Sequence, residues 1–149
     1  MKSLTSTRCI CLALISLSAP TIEGVRDRKS LEPHLEQVTG RESVVNCGEY
    51  VASAHPSKEG LRKFLACAED SVKHHKPSRI VVQMQGADTF IAHGVVSDAT
   101  GRVFFFQYLG TPCGGPGCEA TFERKACRVS DVEVLAYGPG YYILGLKSR

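Results

Sequence analysis

Residues 57–77 read SKEGLRKFLACAEDSVKHHKP, and this stretch predicts an amphipathic helix over about residues 58–75. Ser57 stands in the N-cap position, and Glu59 falls in the first turn, where the helix dipole favours an acidic side chain. Pro77 cannot continue a helix, so it marks the end. Apolar side chains recur along one face at helical spacing: Leu61, Phe64, Leu65, Ala68 and Val72.

The chain after this helix reads as strands separated by turn residues. The hairpin signal is clearest at residues 98–101, DATG, a short turn that ends in glycine between two apolar runs. Residues 109–120, LGTPCGGPGCEA, are rich in glycine and proline and predict a loop. Alternation and β-branched or aromatic residues predict strands at 79–85, 89–97, 102–108, 121–128, 131–137 and 141–147.

These elements predict an α+β fold. One amphipathic helix packs on one face of a five- to six-stranded antiparallel meander, and disulfides brace the domain. The run at residues 104–106 is Phe-Phe-Phe, so its strand carries aromatic rings on both faces. We expect that strand to be central, with the helix over one face and with a partner or the preceding segment over the other.

The start of the chain has the organisation of a secretory signal peptide. Lys2 and Arg8 give it a positive beginning, and residues 9–19, CICLALISLSA, carry no charge. That apolar run is shorter than the roughly 20 residues that span a bilayer. We therefore predict a signal peptide over residues 1–24, cleaved somewhere from residue 18 to 24. The mature protein is then exported, periplasmic or secreted, with no stable membrane span.

Residues 25–42 follow the predicted signal and carry many charges but few large apolar side chains, with Pro33 in their middle. Such a segment buries too little apolar surface to offset the entropy of ordering it. The sequence therefore predicts a flexible leader here and a single α+β domain over residues 43–149, a length that suits one domain.

The charge balance argues against nucleic acid as a partner. The chain has 18 Lys and Arg against 15 Asp and Glu, a net charge of +3; losing residues 1–19 removes two basic residues and no acidic ones, which leaves +1. Basic side chains are scattered singly, without the clustered footprint of a nucleic-acid binder. The sequence also has no glycine-rich phosphate loop before a helix, so we expect no cofactor.

Five cysteines remain after the predicted cleavage, and an oxidising compartment favours disulfides between them. The odd number leaves two bridges and one free thiol as the simplest arrangement, and four paired cysteines allow three connectivities. The cysteine on the flank of the helix lies within reach of the one before it, and that bridge would contribute about 3 kcal/mol in the chain-entropy model. The disulfide candidates are Cys47, Cys67, Cys113, Cys118 and Cys127.

Two parts of the sequence offer side chains that could bind a metal, the cysteine-rich loop and the end of the helix. Cys113 and Cys118 are separated by four residues, the wide end of zinc-ligand spacing, and Cys127 follows nine residues on. In an exported protein this spacing favours a disulfide that ties the loop to the strand at Cys127. His74 and His75 are adjacent on a helix and point in different directions, so we expect no metal.

Cys47 and His93 are the residues that would form a catalytic pair. Cys47 lies in VVNCGEYV and His93 in IAHGVV, which resembles cell-wall cysteine peptidases, where a nucleophilic cysteine begins a helix and a histidine follows on a strand. Gln107 on the neighbouring strand would orient the imidazole. The cysteine is flanked here by asparagine and glycine, whereas that family has aspartate and serine. A disulfide from Cys47 to Cys67 is the competing and favoured interpretation.

A second resemblance covers residues 45–130. An Asn-Cys-Gly motif at 46–48, a cysteine inside a helix, Gln-Gly-x-Asp at 85–88 and Gly-Arg-Val at 101–103 stand in the same order as in small exported bacterial proteins of unknown function. The architecture is also similar in outline to cystatin-like folds, in which a curved antiparallel sheet grips a helix. This resemblance implies a helix-on-sheet fold and brings no active site with it.

The function predicted from these features is that of an exported, non-enzymatic binding or interaction module whose partner is a protein or a cell-surface component. It rests on the incomplete catalytic set and on the apolar strand face turned away from the helix. The alternatives are a cysteine hydrolase using Cys47 and His93 and a cystatin-like inhibitor, for which the turn at 98–101 is too polar. Alternation also predicts that, of Tyr141 and Tyr142, one faces the core and the other faces out.

Overall fold

A computed structural model describes residues 23–40, 43–51, 55–85, 89–110 and 119–148. Within these residues the chain forms an α+β fold of two helices and seven strands, so the predicted class is confirmed. The elements in chain order are α1 (Glu23–Thr39), β1 (Val45–Tyr50), α2 (Lys58–Lys73), β2 (Ser78–Gln85), β3 (Phe90–Ser97), β4 (Val103–Gly110), β5 (Thr121–Cys127), β6 (Val132–Gly138) and β7 (Tyr141–Leu146).

Helix α2 begins where the sequence predicts. The Ser57 side chain accepts a hydrogen bond from the backbone N–H of Gly60 at 3.0 Å, while the Ser57 backbone is extended, as an N-cap requires. At the other end, His75 adopts a φ of 52° just beyond the last turn. Leu61 and Ala68 of the apolar stripe are buried, which anchors the helix on the sheet.

The main sheet has five strands in the order β1-β2-β3-β4-β5. Strands β2 to β5 form the antiparallel meander that the sequence predicts. Strand β1 was not predicted, and it pairs with β2 in parallel. A parallel pair needs a crossover connection, which α2 supplies here. The sheet is therefore mixed rather than wholly antiparallel.

Strands β6 and β7 form a separate two-stranded sheet rather than a continuation of the meander. A turn after β5 redirects the chain: the Arg128 N–H donates to Asp131 Oδ2 at 2.9 Å, and the Arg128 guanidinium also reaches the Asp131 carboxylate. Val132 and Leu144 of the hairpin are then buried in the same apolar cluster as Leu61 of α2. The hairpin and α2 thus cover one face of the main sheet together.

Helix α1 occupies most of the segment predicted as a flexible leader, which corrects that prediction. Its residues Leu31, Leu35 and Val38 are buried against the sheet face opposite α2. Gly40, at a φ of 77°, ends the helix by donating its N–H to the Glu36 carbonyl at 2.9 Å. Three apolar side chains at i, i+4 and i+7 are enough to attach the helix, although the segment as a whole is strongly polar.

Polar contacts add to the attachment of α1. The Arg79 guanidinium on β2 donates to Glu32 Oε2 at 2.7 Å, and the side-chain hydroxyls of Ser30 and Tyr108 are hydrogen-bonded. Phe106 is completely buried in the cluster beneath α1, whereas Phe105 belongs to the cluster beneath α2. The second face of the central strand is therefore covered by the preceding segment, one of the two occupants that the sequence suggested.

The predicted Cys47–Cys67 disulfide is present and joins β1 to α2, with the two Cα atoms 5.5 Å apart. Gly48 follows on β1, and the ring of Phe64 from α2 occupies the space that a side chain at this glycine would need. The close approach of β1 and α2 at the bridge thus depends on the glycine of the Asn-Cys-Gly motif. Cys127 is a half-buried free thiol.

Several predicted features lie outside the described residues. They are most of the signal peptide, the cysteines Cys113 and Cys118 with their loop, and the Gly86–Asp88 part of the second motif. Within the described ranges, no helix has the length and apolar character needed to cross a membrane. Export and the signal peptide therefore stay predictions.

Candidate functional site

A cavity of about 340 Å³ opens between strands β3 to β5 of the main sheet and the β6–β7 hairpin. Its volume corresponds to the space of on the order of ten water molecules. It lies at the lower end of the size range of small-molecule sites, and apolar surface predominates in its lining, as in most such sites. The cavity is the feature on which a binding function is best argued.

Strand register builds a polar row across the floor of the cavity. His93 on β3 lies directly opposite Gln107 on β4, and Gln107 lies directly opposite Glu123 on β5. Residues that face each other across antiparallel strands project from the same side of the sheet. The three polar side chains therefore form one line, which runs from a buried histidine to an exposed carboxylate at the sheet edge.

An apolar row runs beside the polar one. Met84 on β2 is opposite Ile91 on β3, which in turn is opposite Leu109 on β4. Ile91 and Leu109 are each two positions along their strand from His93 and Gln107. Because residues two apart in a strand project from the same side of the sheet, the polar and apolar rows share one face. The cavity floor consequently offers apolar contact alongside a line of hydrogen-bonding groups.

The β6–β7 hairpin supplies the opposite wall through Ile143, Leu144 and Tyr137. Tyr137 lies at an irregularity of the strand pairing between Ala136 and Gly138, and its side chain is 66% exposed. Such bulges redirect a side chain relative to the regular pleat. The Tyr137 ring thereby stands at the cavity lining while remaining open to solvent.

The tyrosines near the hairpin tip divide as alternation predicts. Tyr142 packs against the apolar cluster under α2. Tyr141 instead contacts the ring of Tyr137 at 5.9 Å between centroids and that of His55 at 5.4 Å. The outward-facing tyrosine thus supports the ring that lines the cavity.

His93 is the most deeply buried polar side chain of the cavity, with 5% of its surface exposed. Its Nε2 accepts the backbone N–H of Leu144 at 3.2 Å. Burial lowers the pKa of His93 to about 4, so the ring is neutral at neutral pH. Because a backbone N–H can only donate, Nε2 is the unprotonated nitrogen and the ring proton is on Nδ1.

The Nδ1 N–H of His93 has no hydrogen-bond partner among the described residues. In the same part of the chain, every fully buried side-chain nitrogen or oxygen has a partner. The Nδ1 atom is therefore not fully buried, and His93 is one of the residues that line the cavity. The site presents a fixed hydrogen-bond donor at the end of an apolar pocket.

The residues predicted as a catalytic alternative do not come together as a cysteine active site. Cys47 is bonded to Cys67, and a disulfide sulfur provides no thiolate. Cys47 also lies on β1, which is separated from His93 on β3 by the whole of β2. Gln107 does lie opposite His93, as predicted, but the Nε2 of the imidazole is engaged by the hairpin.

The candidate metal ligands give no cluster within the described ranges, where no group of three His, Cys, Asp or Glu side chains could hold an ion. His74 instead lies at the exposed end of α2, where its Nδ1 is 2.8 Å from the Asp70 carbonyl oxygen. This is the helix-terminal position expected for it. The cysteines of the 113–118 loop lie outside the described residues.

No protein-family model matches the chain, and comparisons with curated proteins and with solved structures give no significant match. The function therefore has to be argued from the site. The sequence pattern identifies His93 and Gln107 as candidates but does not reveal Glu123 or the apolar row. Counting the strand register outward from the 98–101 turn aligns His93 with Gln107, but the alignment of Glu123 with Gln107 depends on the long loop between β4 and β5, whose length does not specify a register.

Proposed function

We propose that this protein is an exported, non-enzymatic binding domain that holds a small, largely apolar ligand in the cavity beside the β6–β7 hairpin. The observation that carries the proposal is the unpartnered Nδ1 N–H of buried His93 at the end of that apolar cavity. Export rests on the signal-like pattern of residues 1–24.

The chemistry of the lining supports such a ligand. Burial of apolar ligand surface against Ile91, Leu109 and Ile143 supplies a favourable free energy of roughly 25 cal/mol for each Å² removed from water. The N–H of His93 fixes the orientation by donating to a carbonyl or hydroxyl oxygen of the ligand. A buried donor left unpaired is costly, so ligands that carry an acceptor at this point are favoured over those that lack one.

The partner surface first suggested by the sequence receives less support. That proposal depended on an uncovered apolar face of β4, and Leu31, Leu35 and Val38 of α1 cover this face. The cavity lies on the other side of the sheet and is not covered by α1. We therefore place the proposed binding site in the cavity rather than on the sheet face that α1 covers.

The alternative of a cysteine hydrolase would require a free thiolate at Cys47, and the disulfide to Cys67 argues against it. The cystatin-like inhibitor would require an apolar hairpin tip. The β3–β4 turn instead carries an ion pair between Asp98 and Arg102 at 2.7 Å. Neither alternative has a structural observation in its favour.

Titration with the neutral fluorescent probe prodan, a naphthalene that carries a ketone oxygen as an acceptor for His93, tests the proposal. We expect saturable enhancement of its fluorescence by the folded protein and at least tenfold weaker binding by Ile143→Trp, because the larger side chain fills the cavity. Val51→Trp is the matched control, since Val51 is exposed and does not line the cavity. Absence of saturable binding, or equal affinity in the two tryptophan variants, would overturn the proposal.

A further inference from the structure

The charge of the cavity lining narrows the kind of ligand that fits it. Glu123 is the one charged side chain among the described residues of the lining, since His93 is neutral. Glu123 is exposed on β5, at the outer end of the polar row. The cavity thus combines a neutral donor at its buried end with a carboxylate at its rim.

Lys125 is the nearest basic residue on the same face of β5, two positions from Glu123. It lies opposite Phe105, in the next row of side chains toward α2, and it is not part of the cavity lining. Glu123 is therefore the charged group of the cavity lining itself, and Lys125 beside it reduces the selectivity that its carboxylate provides.

Tyr137 is a second, independent feature of the same rim. Its ring is 66% exposed and lines the cavity from the hairpin side. An exposed aromatic face attracts ammonium groups through its quadrupole. A carboxylate and an aromatic face on opposite walls of one cavity form an arrangement that favours a cation and disfavours an anion.

We infer that the cavity selects a cationic amphiphile, meaning a small molecule with an apolar body, an oxygen acceptor for the N–H of His93 and an amine. The apolar body occupies the pocket over Ile91 and Leu109, and the ammonium group lies at the rim near Glu123 and Tyr137. This inference rests on the proposed function and specifies its ligand class. Fatty acids and other anionic amphiphiles of the same size are disfavoured by repulsion from Glu123.

A matched set of ligands tests the inference: 4-(4-acetylphenyl)butylamine and the alcohol and carboxylate of the same body, each of which carries the same ketone oxygen for His93, measured by displacement of prodan at neutral pH. They share one apolar body and differ in the charge of the end group. We expect the amine to bind about threefold to tenfold more tightly than the carboxylate at low ionic strength, with a smaller ratio at high salt, because the charges at the rim are screened by solvent.

The variant Glu123→Gln should bring the amine and the carboxylate to nearly equal affinity while the affinity for the alcohol of the set stays the same. Glu36→Gln is the control, because it removes the same charge from the exposed side of α1, across the sheet from the cavity. A ratio that Glu123→Gln leaves unchanged, or tighter binding of the carboxylate, would overturn the inference and leave the cavity as a binding site. Failure of all three ligands and of the probe would overturn the proposed function itself.

Discussion

The imidazole of His93 on β3 accepts the backbone N–H of Leu144 on β7, with 3.2 Å between Nε2 and N. The two strands belong to different sheets that share no strand pairing. This hydrogen bond joins the hairpin, and with it one wall of the cavity, to the main sheet, in addition to the apolar cluster that Val132 and Leu144 share with strands of that sheet. Protonation of Nε2 would set a donor against a donor and break the contact.

Stability should depend on pH through His93. Its pKa is lowered from 6.5 to about 4 by burial, so between these values the unfolded chain binds a proton that the folded chain excludes. The contribution is complete above about pH 6.5 and is lost as the pH falls toward 4, by roughly 3 kcal/mol. Urea unfolding across this range measures it. His93→Gln should remove this slope, whereas a slope of equal size in His93→Gln and in the exposed-site control His74→Gln would contradict the assignment.

The Cys47–Cys67 disulfide should stabilise the fold chiefly by restricting the unfolded chain. Replacing both cysteines by alanine is expected to lower the free energy of unfolding by about 3 kcal/mol, the chain-entropy value for a loop of this length. Denaturant unfolding gives the value, and Cys127→Ser is the control because Cys127 is not bridged. Peptide mapping after alkylation should recover Cys47 joined to Cys67. Rapid alkylation of Cys47 in the unreduced protein would instead favour the hydrolase.

Asp98 organises the turn between β3 and β4. Its Oδ1 accepts the N–H of Thr100 at 2.9 Å and that of Arg102 at 3.0 Å, while Oδ2 accepts from the Arg102 guanidinium at 2.7 Å. Burial opposes ionisation of this carboxyl, but the hydrogen bonds from Thr100 and Arg102 outweigh it and lower the pKa of Asp98 to about 2.

We expect Asp98→Ala to cost about 2 to 3 kcal/mol of stability, because several charge-assisted hydrogen bonds are lost together. Asp98→Asn should cost less, since its Oδ1 can still accept from the two backbone N–H groups. Thermal and urea unfolding of the two variants measure the difference. Equal stability of Asp98→Ala and the unsubstituted protein would show that the turn holds without its carboxylate.

Helix α1 should be an integral part of the folded domain. Leu35 is 1% exposed in the cluster under α1, so Leu35→Ala is expected to cost about 2 to 5 kcal/mol. Glu36→Ala is the matched control on the exposed side of the same turn. Hydrogen exchange should show protection of the α1 amides that Leu35→Ala reduces. Unprotected α1 amides in the unsubstituted protein would instead support the prediction that this segment is a flexible leader.

The sequence predicts those parts of this fold whose pattern is local. Helix α2 follows from its stripe and from Ser57, and β2 to β7 follow from alternation and from the 98–101 turn. Helix α1 was missed because its segment is highly charged, contains Pro33 and has few apolar side chains. Such a composition is typical of a disordered chain. Strand β1 was missed because it is short and contains Gly48, and its pairing with β2 is set by the crossover through α2.

The cavity was beyond prediction for a different reason. The 98–101 turn specifies the register that pairs His93 with Gln107, but the position of Glu123 depends on the long loop before β5, and the wall formed by Tyr137 and Ile143 depends on how the second sheet packs. That packing is governed by contacts of Val132 and Leu144 with α2, and nothing in the local sequence of β6 and β7 encodes it. His93 was identified from its apolar strand, and its bond to Leu144 is a contact across 51 residues.

The position of α1 at the beginning of the described chain constrains the order in which the protein acquires its structure. Ser30 contacts Tyr108 across 78 residues, and Glu32 contacts Arg79 across 47. The helix thus has no docking surface until β2, β3 and β4 have been made and paired. Contacts of such sequence separation slow folding, because the intervening chain must be closed into a loop first. Pro33 and the weak apolar stripe suit a segment that stays open during this interval and docks in a late step.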